Sequence, residues 1–200
     1  YGKRAPEVVI AYAAAMMKAN GGGLSSTFEE LLTSRAGIRH EAYNLQFYGN
    51  GGIGGEICGE PVLMGSLDFL KEMGIEMLVM DDGWFGHRDN DWSSLGDWFV
   101  YESKINLCSL VSRVKALGLK FGIWFEPEMV SPDSDLYRNH PDWCLHIPGR
   151  GRSRSRYQLV LDLSREEVCD YVVESISNVL KSANIKYVKW DCNRRFTEVG

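Results

Sequence analysis

The sequence predicts an α/β protein, the first half of a (β/α)8 TIM-type barrel preceded by a short helical segment. Two observations carry this prediction. Short unalternating apolar runs alternate with amphipathic helical patterns from about residue 66 onward, which implies a parallel sheet with crossover helices. Each apolar run then ends on acidic residues: Asp81-Asp82, Glu126-Pro127-Glu128 and Asp191. In such barrels the loops at the C-terminal ends of the strands build the active site. A doubly wound sheet has the same local pattern, but no G-x-G-x-x-G follows a strand.

Taken in order, residues 1–45 read as a helical segment leading into the barrel, and residues 46–200 as the incomplete barrel. Gly21-Gly22-Gly23 is a break, and Ser26-Thr27-Phe28-Glu29 reads as a capping box opening a short helix. Residues 49–55 are glycine-rich and read as a loop or a flexible strand end. Ser66 to Met73 reads as helix and Glu76 to Met80 as a strand buried on both faces. Leu107, Leu110, Val111, Val114 and Leu117 keep helical spacing, with Gly118 at the C-cap. Lys120 to Phe125 is the next strand. Ser164-Arg165-Glu166-Glu167 reads as a second capping box, opening a helix with Val168, Tyr171, Val172, Ile176, Val179 and Leu180 on one face. Ile185 to Trp190 is the third strand.

Composition bounds the function. With 44% hydrophobic and 24% charged residues the chain is globular, and a net charge of -5 argues against nucleic acid or anionic membrane as a partner. The run Val8 to Met17 is too short to span a bilayer; it has the look of a signal-peptide core, but Tyr1-Gly2-Lys3-Arg4 lacks an initiator Met and no cleavage site follows. Five Cys without a C-x-x-C fit reduced thiols.

Carboxylates gathered at strand ends serve glycoside hydrolysis or metal binding. Hydrolysis needs two, a nucleophile or base and an acid of raised pKa. Metal-dependent barrels usually add His at the strand ends, whereas His40, His87, His140 and His146 fall in loops, so no metal site is expected. Trp84, Trp124 and Trp190 flank the acids, and acid plus aromatic favours sugar. Lys189 precedes Asp191 by two residues and shares its side of the strand, where an ammonium lowers a carboxylate pKa. Glu126 and Glu128 read as supporting hydrogen-bond acceptors.

Several long motifs then resemble glycoside hydrolase family 36, the microbial α-galactosidases of the raffinose- and melibiose-cleaving type. They are Asp81-Asp82-Gly83-Trp84-Phe85-Gly86, Ser93-Ser94-Leu95-Gly96-Asp97-Trp98, Trp124-Phe125-Glu126-Pro127-Glu128-Met129-Val130 and Lys189-Trp190-Asp191-Cys192-Asn193-Arg194. The likeness runs from about residue 74 to 198. It implies that Asp191 is the nucleophile forming a galactosyl-enzyme ester, and that Lys189 and Asn193 hold sugar hydroxyls. It further implies that Asp81 and Asp82 grip the hydroxyls of the fourth and sixth carbons, that Trp124 walls the pocket, and that Arg156 reaches into it. The family's acid/base is an Asp on a later strand, expected outside this chain. The resemblance implies a cytoplasmic enzyme without a cofactor, often a homo-oligomer, acting on galactosides such as raffinose or melibiose. A galactosyl transferase of the raffinose-synthesising type and a truncated, non-catalytic sugar-binding module are the alternatives. The stretch from Tyr48 to Glu60 departs from the family's first barrel strand.

Overall fold

The computed structural model describes residues 6–21, 23, 25–34 and 38–195, and the chain divides into two compact units between Ile75 and Glu76. The division expected at residues 45 and 46 therefore falls inside a strand. Tyr1 to Arg4, Gly22 and residues 196–198 of the family-like stretch lie outside the described residues.

The first unit contains α1 (Pro6–Asn20), α2 (Ser25–Ser34), β1 (Tyr43–Tyr48), β2 (Gly52–Ile57), β3 (Glu60–Met64) and α3 (Leu67–Glu72). The apolar run of the N-terminal region is the buried part of α1. Ala11 and Ala14 pack with Leu32 of α2, while Tyr12, Ala15 and Met16 pack with Ile53 and Ile57 of β2. The three strands form an antiparallel meander in the order β1-β2-β3. Of the stretch 49–55 read as a loop or flexible strand end, residues 49–51 are the turn between β1 and β2, whereas Gly52 to Gly55 are ladder-paired residues of β2. The glycines mark a close approach. At both Gly52 and Gly65 a Cβ would collide with the ring of Phe69, which is fully buried. Ser66 caps α3 by accepting from the Phe69 amide at 3.2 Å.

The second unit contains β4 (Met77–Met80), α4 (Leu107–Ala116), β5 (Lys120–Phe125), β6 (Met129–Val130), α5 (Asp135–Asn139), a 3-10 turn (Pro141–Trp143), β7 (Leu159–Val160), α6 (Glu166–Ser182) and β8 (Tyr187–Trp190). Strands β4, β5 and β8 form a parallel sheet in that order, with α4 and α6 as the crossovers. Of the three, β5 alone is buried along nearly its whole length. β4 is half-buried, and Tyr187 and Trp190 of β8 are exposed. The expectation of strands buried on both faces thus holds for β5, the one with a hydrogen-bonded neighbour on each side. Val79, Gly122 and Tyr187 are register partners, and Gly122 is the residue that lets its neighbours close over β5. A Cβ there would stand 2.9 Å from Tyr187 and 3.1 Å from Val79.

Helix α4 starts on Asn106, whose side chain accepts from the Ser109 amide at 2.9 Å, and is followed by Gly118 at φ 76°. Helix α6 buries Val168, Val172, Ile176 and Val179 of the predicted face and leaves Tyr171 and Leu180 partly buried. Its expected capping box does not form. The N-cap is Arg165, because the Ser164 hydroxyl donates instead to Asp162 at 2.6 Å. Asp97 anchors the start of α5, its carboxylate accepting from the amides of Asp135 at 3.0 Å and Leu136 at 2.9 Å. A short antiparallel pair, β6 with β7, ties the segment after β5 to the loop at residues 155–161. Trp84, Phe85, Trp98, Trp124 and Phe125 form an aromatic cluster beneath the strand ends, each at most 3% exposed.

Candidate active site

The parallel register builds the site. Met80 pairs with Ile123, Ile123 with Val188, and Trp124 with Lys189, so Asp81, Trp124 and Lys189 form the next row across the sheet. Side chains in one row of a parallel sheet share a face. Asp81 and Lys189 flank β5 at two strand spacings, about 10 Å between backbones, and the long lysine stem closes that gap. Lys189 Nζ lies 2.9 Å from Asp81 Oδ2 and 3.6 Å from Asp191 Oδ2.

Asp191 leaves β8 with its amide still donating to the Phe125 carbonyl at 2.8 Å, so its backbone is held by the sheet. Its Oδ2 accepts from Trp124 Nε1 at 2.9 Å, and its Oδ1 from the Cys192 amide at 3.1 Å. Burial acts to raise its pKa. Hydrogen bonds from Trp124 and Asn193, the charge of Lys189 and the Cys192 amide outweigh that effect and hold the carboxyl below its usual range. Desolvation acts to lower the Lys189 pKa, but its contacts with Asp81 and Asp191 leave the ammonium above its ordinary value. Asp191 is therefore ionised and Lys189 protonated throughout the neutral range.

Trp124 is 2% exposed, and rings of Phe85 and Trp98 lie at 6.0 and 6.1 Å. It meets Asp191 through its indole N–H, while its ring packs among the neighbouring aromatics. Trp84 in turn donates from Nε1 to the Trp124 carbonyl at 3.0 Å.

Asp82 is gripped by a residue that the sequence reading did not single out. Arg88 is 5% exposed, and its Nε and Nη2 stand 3.0 and 2.9 Å from the two oxygens of Asp82. A fork of this kind fixes a carboxylate in plane and in register. The remaining Nη1 donates to the Ser93 carbonyl at 2.9 Å. Nothing in the sequence pattern marks Arg88, which lies in an irregular loop.

A second clamp holds the residues after Asp191. Glu126 is 1% exposed and accepts from the Asn193 amide at 2.6 Å and from Gln158 Nε2 at 3.1 Å. Burial pushes its carboxyl pKa up despite the hydrogen bonds from Asn193 and the charge of Arg156. Arg194 reaches the carbonyls of Gln158 at 2.6 Å and Ser153 at 3.1 Å. Glu128 accepts from Trp190 Nε1 at 3.0 Å. Arg156 and Tyr157 carry left-handed backbone at φ 51° and 60°, a conformation costly for side chains of this size. Of the expected residues, Asp81, Lys189, Trp124 and Asp191 form one bonded constellation, Asn193 adjoins it, Asp82 pairs with the buried Arg88, and Arg156 acts on Glu126 through its charge.

The histidines lie elsewhere: His40 against Tyr12, His87 against Tyr101, His140 stacked on Trp143 and His146 on the Cys144 carbonyl. Among the described residues, no group of three or more His, Cys, Asp or Glu side chains is arranged to hold a metal. No helix among them is long and apolar enough to cross a membrane.

The second unit is thus a parallel α/β layer that gathers Asp81, Lys189 and Asp191 in one bonded group at its strand ends. The family model described as Melibiase matches residues 59–200, and the chain belongs to that family. It is 64% identical over 131 residues to alpha-galactosidase AgaA of Geobacillus stearothermophilus, a match spanning 64% of this chain and 18% of that protein. It is 45% identical over 130 residues to an alpha-galactosidase of Escherichia coli, covering 64% of this chain and 18% of that one. Among solved structures, the family 36 alpha-galactosidase AgaB of Geobacillus stearothermophilus aligns with a TM-score of 0.66 at 61% identity, over 67% of this chain and 19% of that one. Variants of AgaA have been crystallised with raffinose and with stachyose. The chain thus spans less than a fifth of the length of these relatives.

Proposed function

We propose that the second unit is part of the catalytic barrel of a retaining α-galactosidase, with Asp191 as its nucleophile. The single observation carrying this reading is that the Asp191 carboxylate is held at a strand end by Trp124 and Lys189 while its pKa is kept low. A nucleophile must be ionised, and it must be fixed in position before the substrate arrives. The sequential strand order β4-β5-β8 favours a barrel wall over a doubly wound sheet.

In this reading an Asp191 oxygen attacks the anomeric carbon of a terminal α-galactosyl group. The bond from that carbon to the leaving oxygen breaks, and the leaving oxygen keeps the electron pair and takes a proton from an acid/base on a later strand. A galactosyl ester remains on Asp191. Water, giving a proton back to that same acid/base, then attacks the same carbon and frees Asp191. Asp81, Lys189 and Asn193 bind sugar hydroxyls around the reacting carbon, and Asp82, oriented by Arg88, adds a second acceptor. Ionised acceptors of fixed direction discriminate strongly between epimers. Galacto-oligosaccharides such as raffinose and melibiose are the substrates in this reading, supported by the ligands of the AgaA structures.

The test uses an α-galactosyl fluoride that also carries fluorine at the second carbon. Fluoride leaves without protonation, so the reaction isolates Asp191 from any general acid. A galactosyl-sized mass increase on the full chain, absent from Asp191→Asn, is the expected result. The absence of an adduct on the parent chain, with the sugar shown to bind, would remove Asp191 from the role.

A further inference from the structure

We propose that the exposed pair Trp92 and Tyr157 is a stacking platform for the sugar ring that the galactosyl group is joined to, so that the site takes α-galactosyl oligosaccharides in preference to simple galactosides. The proposal rests on the reading of the Asp191 site given above.

Trp92 is 53% exposed and Tyr157 is 61% exposed, yet their rings meet at 5.8 Å between centroids and 66° between planes. Two large aromatic side chains from loops 65 residues apart stand together, each more than half exposed, with their ring planes at a steep angle. Pyranose rings present patches of C–H that pack on such faces, while their hydroxyls stay in water.

Both loops are tied to the residues that surround Asp191. The residue after Trp92 is Ser93, whose carbonyl accepts from Arg88 at 2.9 Å, and Arg88 forks onto Asp82. The residue after Tyr157 is Gln158, which donates to Glu126 at 3.1 Å, and Glu126 holds the Asn193 amide. The platform is thus tied from two sides to Asp82 and Glu126, the acids that follow β4 and β5. Arg156 and Tyr157 both hold left-handed backbone, so the Tyr157 ring is carried on a conformation that non-glycine residues seldom adopt. A ring carried on a pre-set backbone loses little freedom on binding. The occupant the geometry fits is therefore a saccharide ring just outside the galactosyl pocket.

Calorimetric titration of the full chain with galactose and with raffinose tests this. The parent chain binds raffinose more tightly than galactose. Trp92→Ala and Tyr157→Ala each leave the galactose Kd unchanged and weaken raffinose about three- to tenfold. Trp92→Phe, which keeps a stacking face, recovers most of the difference. An equal loss for both ligands would make the pair a support of the galactosyl pocket, and no loss for either would make it irrelevant to sugar; both overturn the proposal. So does a change in molecular mass by light scattering in Trp92→Ala with the raffinose-to-galactose ratio intact, which would make the pair a contact between copies. Failure of the parent chain to bind galactose at all is the separate signature of the Asp191 reading failing, and the platform falls with it.

Discussion

Lys189 Nζ sits 2.9 Å from Asp81 Oδ2 and 3.6 Å from Asp191 Oδ2, so one ammonium crosses β5 and joins acids that are 110 residues apart in sequence. Its long stem lets it bridge two strand spacings, and its single charge serves both carboxylates. The consequence is a nucleophile candidate that stays ionised without a free counterion. The same contact couples the stability of the second unit to pH at both ends of the range.

The pH dependence of ester formation follows from this pair. Asp191 has a lowered pKa, so the stabilisation of its ionised form is present above the unfolded carboxyl value and is lost as pH falls through the folded one. Lys189 has a raised pKa, so its contribution is present below the unfolded lysine value and is lost as pH rises through the folded one. In Lys189→Met the acid limb of the rate of adduct formation moves upward in pH, read by mass spectrometry across a pH series. An acid limb that stays in place would detach Lys189 from the ionisation of Asp191.

Trp124→Phe separates packing from hydrogen bonding. The phenyl ring retains contact with Phe85 and Trp98, and the Trp124 carbonyl that accepts from Trp84 belongs to the backbone. What disappears is the N–H donor to Asp191. A hydrogen bond to a charged group is worth about 1.5–3 kcal/mol, so the rate of adduct formation should fall by about tenfold or more. Urea midpoints of parent and variant report any accompanying loss of packing.

Arg88→Met keeps most of the side-chain volume and removes the fork on Asp82. It leaves the Ser93 carbonyl without its donor and Asp82 without its cation. Breaking a buried pair costs about 3–5 kcal/mol; the Asp82 side chain is 23% exposed and regains water, so a loss of about 2 kcal/mol is expected. Chemical denaturation measures it, and a loss below half of that would place the pair among the energetically minor surface contacts.

Glu126 reports on burial through the opposite sign. Its folded pKa is raised, chiefly by desolvation, so its stabilising contribution is present below the unfolded carboxyl pKa and declines as pH rises toward the folded one. Glu126→Gln removes that decline. The carboxamide retains an acceptor for the Asn193 amide, and once the Gln158 amide turns over, the new N–H donates to Gln158 Oε1, which in the parent is buried without a partner. Urea midpoints at mildly acidic and neutral pH should differ less in the variant than in the parent. A larger difference in the variant would assign the pH dependence to another group.

The sequence alone determined the parts whose information is local. Periods of apolar residues marked α4 and α6, and the acids closing each apolar run marked Asp81, Glu126 and Asp191 as strand-end residues. The spacing of Lys189 and Asp191 put both on one face of β8, because side chains alternate along a strand. Tertiary structure alone decided what crosses between elements. The register of β4 against β5 and of β5 against β8 set Asp81, Trp124 and Lys189 in one row, and register is a property of pairs of strands. Arg88 and Glu126 found their partners through folded loops whose course carries no periodicity. Ser164 lost its expected capping role to Asp162, a competition between neighbours that composition cannot rank. Gly52 of β2 reads as freedom in the sequence and serves in the fold, with Gly65, as space for Phe69, because a missing side chain says nothing of what fills its place.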